Sequence, residues 1–355
     1  MNAKIRSALL LAATSLLLLA TSAARAQVLA CGSVVTQSVS LQADVACSAG
    51  QNGLIVGASG ITIDLNGYTI RGRWRPGSPS ATGIFSSGHD DLTIIGPGRI
   101  SGFSQPMWIG GSKGLFIGKV DARTPFSQAA YLFGIQFGVI ENSDFNSLVL
   151  SGDYLNGESY GNQVRGNRFT SVPGAGGGSL RLQGCDVYEN VVLGNEVVGD
   201  VGQYTPVLAL WGGGYGNNFV KNRVYGPIDF NGASNTLRDN TIEVDRSASY
   251  AVAILSGNPI VAGYCRHGHD EGRDNVLTGN LIVGGNSGVR LQQFPSALPS
   301  MMPARFNRIG ENEFKGQSGS GIFFTVQSEK NDGTGNTYSN VPYIVIDHGQ
   351  GNVWP

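Results

Sequence analysis

Residues 217–244 read NNFVKNRVYGPIDFNGASNTLRDNTIEV, and one short pattern is written in them twice. Asn217, Phe219, Asn222 and Val224 are answered by Asn235, Leu237, Asn240 and Ile242, with each pair of asparagines five places apart. The same spacing runs from Asn162 to Phe169, Asn190 to Val197, Asn275 to Ile282 and Asn307 to Phe314, making six copies in all. Apolar residues two apart, or separated by a short turn, describe a strand, a tight corner and another strand. That unit is too small to bury its own apolar face, so it must stack on its neighbours as a solenoid. Asparagine suits the corner because it tolerates left-handed backbone and because its amide can pair with the asparagine one coil above and below.

Outward from this stretch the same logic continues without the paired asparagines. Ile61, Ile63 and Leu65 alternate, Asn66 and Gly67 turn, and Tyr68 and Ile70 resume; Leu92, Ile94, Gly96, Pro97, Gly98 and Ile100 repeat the scheme. Coils are read from Leu54 to Arg71 through to Ile344 to Trp354, about 12 in number. At the roughly 4.8 Å spacing of paired strands they make a rod about 55 Å long. The composition agrees: Gly 53 is about twice the ordinary share and charged residues are only 14% of the chain.

The N-terminus reads as an export signal, with Lys4 and Arg6, an apolar run from Ala8 to Ala20 and small residues at Ala24 and Ala26. The run of about 13 residues is short of the roughly 20 that span a bilayer. The division expected is therefore a signal peptide over 1–26, an N-terminal cap over 27–52 and the solenoid over 53–355, in a soluble secreted or periplasmic protein acting as a monomer. A formal net charge of -1 gives no electrostatic reason to expect nucleic acid or anionic lipid as a partner. Four cysteines in an exported chain suggest disulfides and allow three pairings. Cys31 and Cys47 flank a short segment where a bridge would pin the N-terminal end; Cys185 and Cys265 either bridge or one of them simply packs.

The stretch from Cys31 through Ile61, Thr62, Ile63, Asp64, Leu65, Asn66 and Gly67 to Gly72, with the later asparagine corners, resembles the pectate-lyase-like superfamily over essentially the whole mature chain. The resemblance implies an all-β, single-stranded right-handed parallel β-helix, exported, of a kind that often acts on acidic polysaccharides as lyase, hydrolase or C5-epimerase. The chain departs from the enzyme families it resembles. It lacks the Asp-Pro-His-Asp string of mannuronan epimerases and the spaced Asp pair with Gly-His-Gly and Arg-Ile-Lys of polygalacturonases.

Candidate chemistry falls in two places. The longest connections run from Ser256 to Asp274 and from Gln293 to Arg305, and the first holds Tyr264, Cys265, Arg266, His267, His269, Asp270 and Glu271. His267 and His269 are placed for proton transfer or a metal, against the plainer reading of a solvated loop tip. The second place follows from strand alternation. With Leu180, Leu182, Leu208, Leu210, Ile228, Phe230, Val289 and Leu291 inward, the outward row is Arg181, Gln183, Ala209, Trp211, Asp229, Asn231, Arg290 and Gln292. Tyr154, Tyr188 and Tyr215 adjoin it from the turns. Aromatic rings stack on sugars and Arg pairs with carboxylates, so this row suits an acidic glycan; ordinary cross-strand polar pairing is the alternative.

The leading functional reading is a lyase or C5-epimerase acting on a uronate-containing glycan. Arg181 or Arg290 would neutralise the carboxylate, His267 or His269 act as base and Tyr264 as acid, while Gln183, Trp211, Asp229, Asn231, Gln292 and Tyr215 bind substrate. The competing reading is a non-catalytic glycan-binding, adhesion or envelope accessory protein. The sequence establishes no cofactor with certainty. Calcium is a candidate through Asp229 or Asp270, without a dense acidic ring behind it. Ile346, Asp347 and His348, and likewise His89, Asp90 and Asp91, read as end-cap and turn residues.

Overall fold

The computed structural model describes residues 25–123, 129–152, 157–171, 179–199, 206–256, 272–293 and 302–355. Within them every strand pairing is parallel and the chain is a right-handed parallel β-helix. One sheet stacks 13 strands in a single file, from Ser33–Val35 and Leu54–Val56 through Leu180–Gln183, Leu208–Tyr215, Ile228–Ala233, Tyr250–Ser256 and Ser287–Gln293 to Tyr343–Asp347. A 22-stranded sheet supplies two short strands to most coils, folded about the asparagine corner, as in Gln163–Arg165 followed by Arg168–Thr170. Thirteen strands at the usual spacing span about 58 Å.

The 12 coils read from the sequence are all present, and one more precedes them. Ser33–Val35, Val39–Leu41 and Val45–Ala46 pair in register with Leu54–Val56, Thr62–Asp64 and Thr69–Arg71, so the segment expected as a cap is itself part of the stack. Its strands are two or three residues long and carry no asparagine corner, which hides them from pattern reading. The expected signal peptide lies outside the described residues up to residue 24. Arg25–Gln27, across the expected cleavage point, pairs with Val39–Leu41.

Each side of the corner is held by a buried asparagine ladder. Asn162 donates both its backbone N–H and its Nδ2 to Asn190 Oδ1, at 3.0 and 2.8 Å, while a second Nδ2 hydrogen reaches the Ile135 carbonyl at 2.7 Å. The scheme repeats through Asn217, Asn235, Asn275 and Asn307, and runs on to Asn331 and Asn352. The second ladder climbs from Asn167 through Asn195, Asn222, Asn240, Asn280 and Asn312 to Asn336. Every amide hydrogen and oxygen is thus occupied in the interior, where an unpaired one would cost about 1–3 kcal/mol.

One expectation needs correction. The left-handed residue at each corner is not the asparagine but the residue before it: Gly161, Glu189, Gly216, Ser234, Asp274 and Phe306 on the first ladder all have φ between 53 and 66°. The asparagine must aim its N–H and its amide at one oxygen in the next coil, so the reversal falls one place earlier.

The core is the apolar interior of the tube, with Leu180, Leu182, Leu208, Leu210, Ile228, Val289 and Leu291 all fully buried and Phe230 nearly so. Cys31 and Cys47 form a disulfide across a separation of 16 residues at the N-terminal end. Cys185 is also disulfide-bonded; Cys265 lies outside the described residues. Asp347 accepts from Gly349 N, Asn352 Nδ2 and Trp354 Nε1, which makes it the organiser of the last turn. Asp90 accepts from Lys113 N in a turn whose next residue, Asp91, has φ 52°.

Candidate functional site

Because the side-chain period of a strand is two and the strands are in register, one outward position repeats in every coil. Along the 13-strand file that position reads Val34, Ile55, Phe85, Trp108, Tyr131, Val149, Arg181, Ala209, Asp229, Ala253, Arg290, Phe323 and Ile346. The column is apolar and aromatic at its N-terminal end. Its centre is Arg, Ala, Asp, Ala, Arg, with Asp229 two coils from each arginine, or about 10 Å. Only methyl groups separate the three.

Neither arginine is paired. Among the described residues Arg181 and Arg290 have no ion pair or hydrogen bond, and the Nε of each is buried. Arg181 lies over the Trp211 ring at 5.7 Å and Arg290 over Phe323 at 5.2 Å. These cation–π contacts orient the guanidinium groups without neutralising them. Burial pushes the Arg181 pKa below its ordinary value. Elsewhere the arginines are often matched, as in Arg165 with Glu141 and Arg123 with Asp121. A half-buried guanidinium without an anion is costly, and an arriving carboxylate or sulfate would relieve that cost.

Asp229 points outward yet is only 7% exposed. Burial raises its pKa from 3.8 to about 6, against the opposing pull of Tyr250 and Trp211. The Tyr250 hydroxyl donates to Asp229 Oδ1 at 2.8 Å. The Trp211 indole N–H faces the same carboxyl without reaching full hydrogen-bond geometry, since Nε1 has no partner by distance and angle. Burial and the Asp229 charge push the Tyr250 phenol up, while the charge of Arg290 pulls it back. Asp229, Tyr250 and Trp211 therefore form one electrostatic unit, which Arg290 reaches through Tyr250.

The outward row read from alternation is thus assembled. Arg181, Asp229 and Arg290 share the column, and Gln183 and Trp211 are partners in the next outward position. Asn231 and Gln292 flank Leu255 in register, but the Asn231 amide is fully buried and accepts from Gly212 N and donates to the Leu255 carbonyl, a structural use. Tyr215 is not brought to the column. After Trp211 the chain kinks through Gly212, whose φ of 96° favours glycine and where a Cβ would stand only 3.0 Å from the Gly184 backbone. Tyr215 then stacks on Tyr188, and Tyr188 on Tyr160, each at 4.9 Å, so their ring faces are used by one another.

Tyr250 was missed by the sequence reading. It sits two places before inward Val252 and so falls in the inward phase; its hydroxyl reaches Asp229 in the preceding coil, which alternation does not encode. The aromatic part of the column, where Phe85 and Trp108 stack at 4.8 Å, was missed as well. His267, His269, Tyr264, Tyr154 and Asp270 lie outside the described residues. Among the described residues no three His, Cys, Asp or Glu side chains converge as metal ligands.

The fold has known counterparts. The A-module of mannuronan C-5 epimerase AlgE4 from Azotobacter vinelandii superposes with a TM-score of 0.59 at 12% identity, over 91% of this chain and 85% of that one. The periplasmic alginate epimerase AlgG gives 0.54 at 10% identity, over 91% and 76%. A family 28 exopolygalacturonase of Yersinia enterocolitica gives 0.51 at 10% identity, over 90% and 73%. Identities this low show a shared fold and nothing finer. The chain shares with these proteins the right-handed parallel β-helix fold that its sequence leads one to expect. No curated protein sequence matches it significantly. The family model described as periplasmic copper-binding protein (NosD) matches residues 161–355, more than half of the chain and the whole of its asparagine-laddered part, and the chain belongs to that family.

Proposed function

We propose that the protein is exported to the periplasm and holds a uronate-containing glycan along the outer face of its 13-strand sheet, acting on it as a lyase or C5-epimerase. The observation that carries this reading is the pair of unpartnered, half-buried arginines set symmetrically about Asp229. Their separation of four coils, about 19 Å, suits an extended polyanion rather than a small anion. Trp211 offers an aromatic edge between them. The family description and the disulfides support the compartment. Among the described residues no helix is long and apolar enough to cross a membrane.

Copper, in the family's description, asks for imidazole, thiolate or thioether donors. The described residues do not fit it. His89 follows the third strand of the file and His348 the last, about 48 Å apart. Cys31, Cys47 and Cys185 are in disulfides, Met107 is fully buried in the core, and exposed Met302 is the one accessible thioether among the described residues, too few donors to hold the ion.

Titration calorimetry with polymannuronate and with a neutral mannan tests the reading. The polyuronate binds and the mannan does not, and Arg181→Ala or Arg290→Ala each weakens binding by about tenfold or more, in keeping with loss of a charge-assisted pair. Equal binding of both polymers, or arginine variants that bind as the parent does, would refute it.

A further inference from the structure

Lysis and epimerisation differ in where their acid and base stand. Epimerisation removes a proton from one face of the sugar and returns one to the other, so it needs groups on both sides. Elimination needs a base for the C5 proton and an acid for the departing O4, and both may approach from one side. Asp229 and Tyr250 stand on one side of any chain lying against this sheet: both belong to adjacent coils of the same sheet and they touch at 2.8 Å.

We infer that Asp229 and Tyr250 are the base and acid of a one-faced β-elimination, so that the substrate class is uronates whose C5 hydrogen and O4 lie on the same side of the ring, namely mannuronate and glucuronate, and not guluronate or galacturonate. This rests on the glycan reading above. Asp229 takes the C5 proton, and the C–H electron pair forms the C4=C5 double bond. The C4–O4 bond breaks, and O4 leaves with the Tyr250 proton as a new chain-end hydroxyl. The proton held by Asp229 then passes to the Tyr250 oxygen along their existing hydrogen bond. The pair is restored, with no oxidant, reductant or further reactant used. Arg290, close enough to influence Tyr250, neutralises the substrate carboxylate as charge develops on it.

A carboxylate poised near pH 6 is a serviceable base at neutral pH, and the phenol stays protonated until O4 needs its proton.

The test incubates the full chain with polymannuronate, hyaluronan, polyguluronate and polygalacturonate, following the absorbance of unsaturated product, proton exchange at C5 and, separately, binding. Product forms from the first two alone, and Asp229→Asn and Tyr250→Phe each lower its rate by at least about 100-fold with polymannuronate affinity held within about threefold. Product from polyguluronate or polygalacturonate, exchange without cleavage, or variants that turn over normally would overturn the inference. Binding to the arginines without product from any polymer would overturn it while sparing the glycan reading; absence of binding would remove both.

Discussion

Replacing Asp229 by asparagine should make the protein more stable at neutral pH, by an amount set by one pKa. The carboxyl titrates near 3.8 unfolded and about 6 folded, because burial disfavours the charge. The folded state therefore binds the proton more tightly, and the stability this contributes is full below about pH 4 and lost as pH rises through about 6. A shift of about 2 units corresponds to about 3 kcal/mol by which the ionised carboxylate disfavours the fold at neutral pH. Asparagine keeps the shape and an oxygen to accept from Tyr250 but never ionises. The other charged or titratable groups facing Asp229 are Tyr250, Arg181 and Arg290. The phenol is shifted upward and the guanidinium groups remain charged at neutral and acid pH, so they do not mask the effect. Urea unfolding of both proteins near pH 4 and near pH 7.5 measures it. The variant should gain up to about 3 kcal/mol at the higher pH and roughly nothing at the lower. A difference that does not change with pH, or a variant less stable at neutral pH, would refute the argument. A residue that costs stability where it stands and is kept for chemistry is the usual signature of an active site.

Two further outcomes concern the scaffold. Asn222→Ala leaves the Asn195 N–H and one Asn195 amide hydrogen without their acceptor in the interior and takes a side-chain donor from the Val192 carbonyl. At about 1 kcal/mol or more for each it should cost about 3–4 kcal/mol and speed amide exchange in the adjoining coils, whereas exposed Arg223→Ala should stay within about 0.5 kcal/mol. Cys31→Ser opens the 16-residue loop and should lower the unfolding midpoint of the N-terminal coils by an amount worth about 3 kcal/mol, read by exchange protection at Val39–Leu41 against that at Leu281–Val283. An unchanged exchange pattern would place the stability of that end elsewhere.

What could be read from the sequence was whatever obeys a strict local period. Leu180–Gln183 alternates buried and half-buried without a break, so Arg181 could be placed outward and aligned with Asp229 and Arg290 before any coordinates. The asparagine ladders were legible for the same reason, since their spacing is fixed by the coil. Side-chain and backbone roles were not separable by pattern: the asparagine signalled the corner, while the left-handed conformation belonged to the residue before it. Contacts across coils were harder still. Tyr250 reaches Asp229 by the length of its side chain, and Tyr215 leaves the column because of a glycine kink at Gly212, neither of which alternation can report. The first coil was hidden by strands too short to show a period.

The central claim is that one extended polyanion engages Arg181 and Arg290 together, and the most direct measurement is affinity against the length of mannuronate oligomers. Affinity should rise in two steps, the second when the oligomer first reaches the roughly 19 Å from one arginine to the other. Arg181→Ala and Arg290→Ala should each erase that second step and leave the first. A single smooth rise unaffected by either substitution would contradict the account, because the two unpaired arginines would then not be reading the same chain.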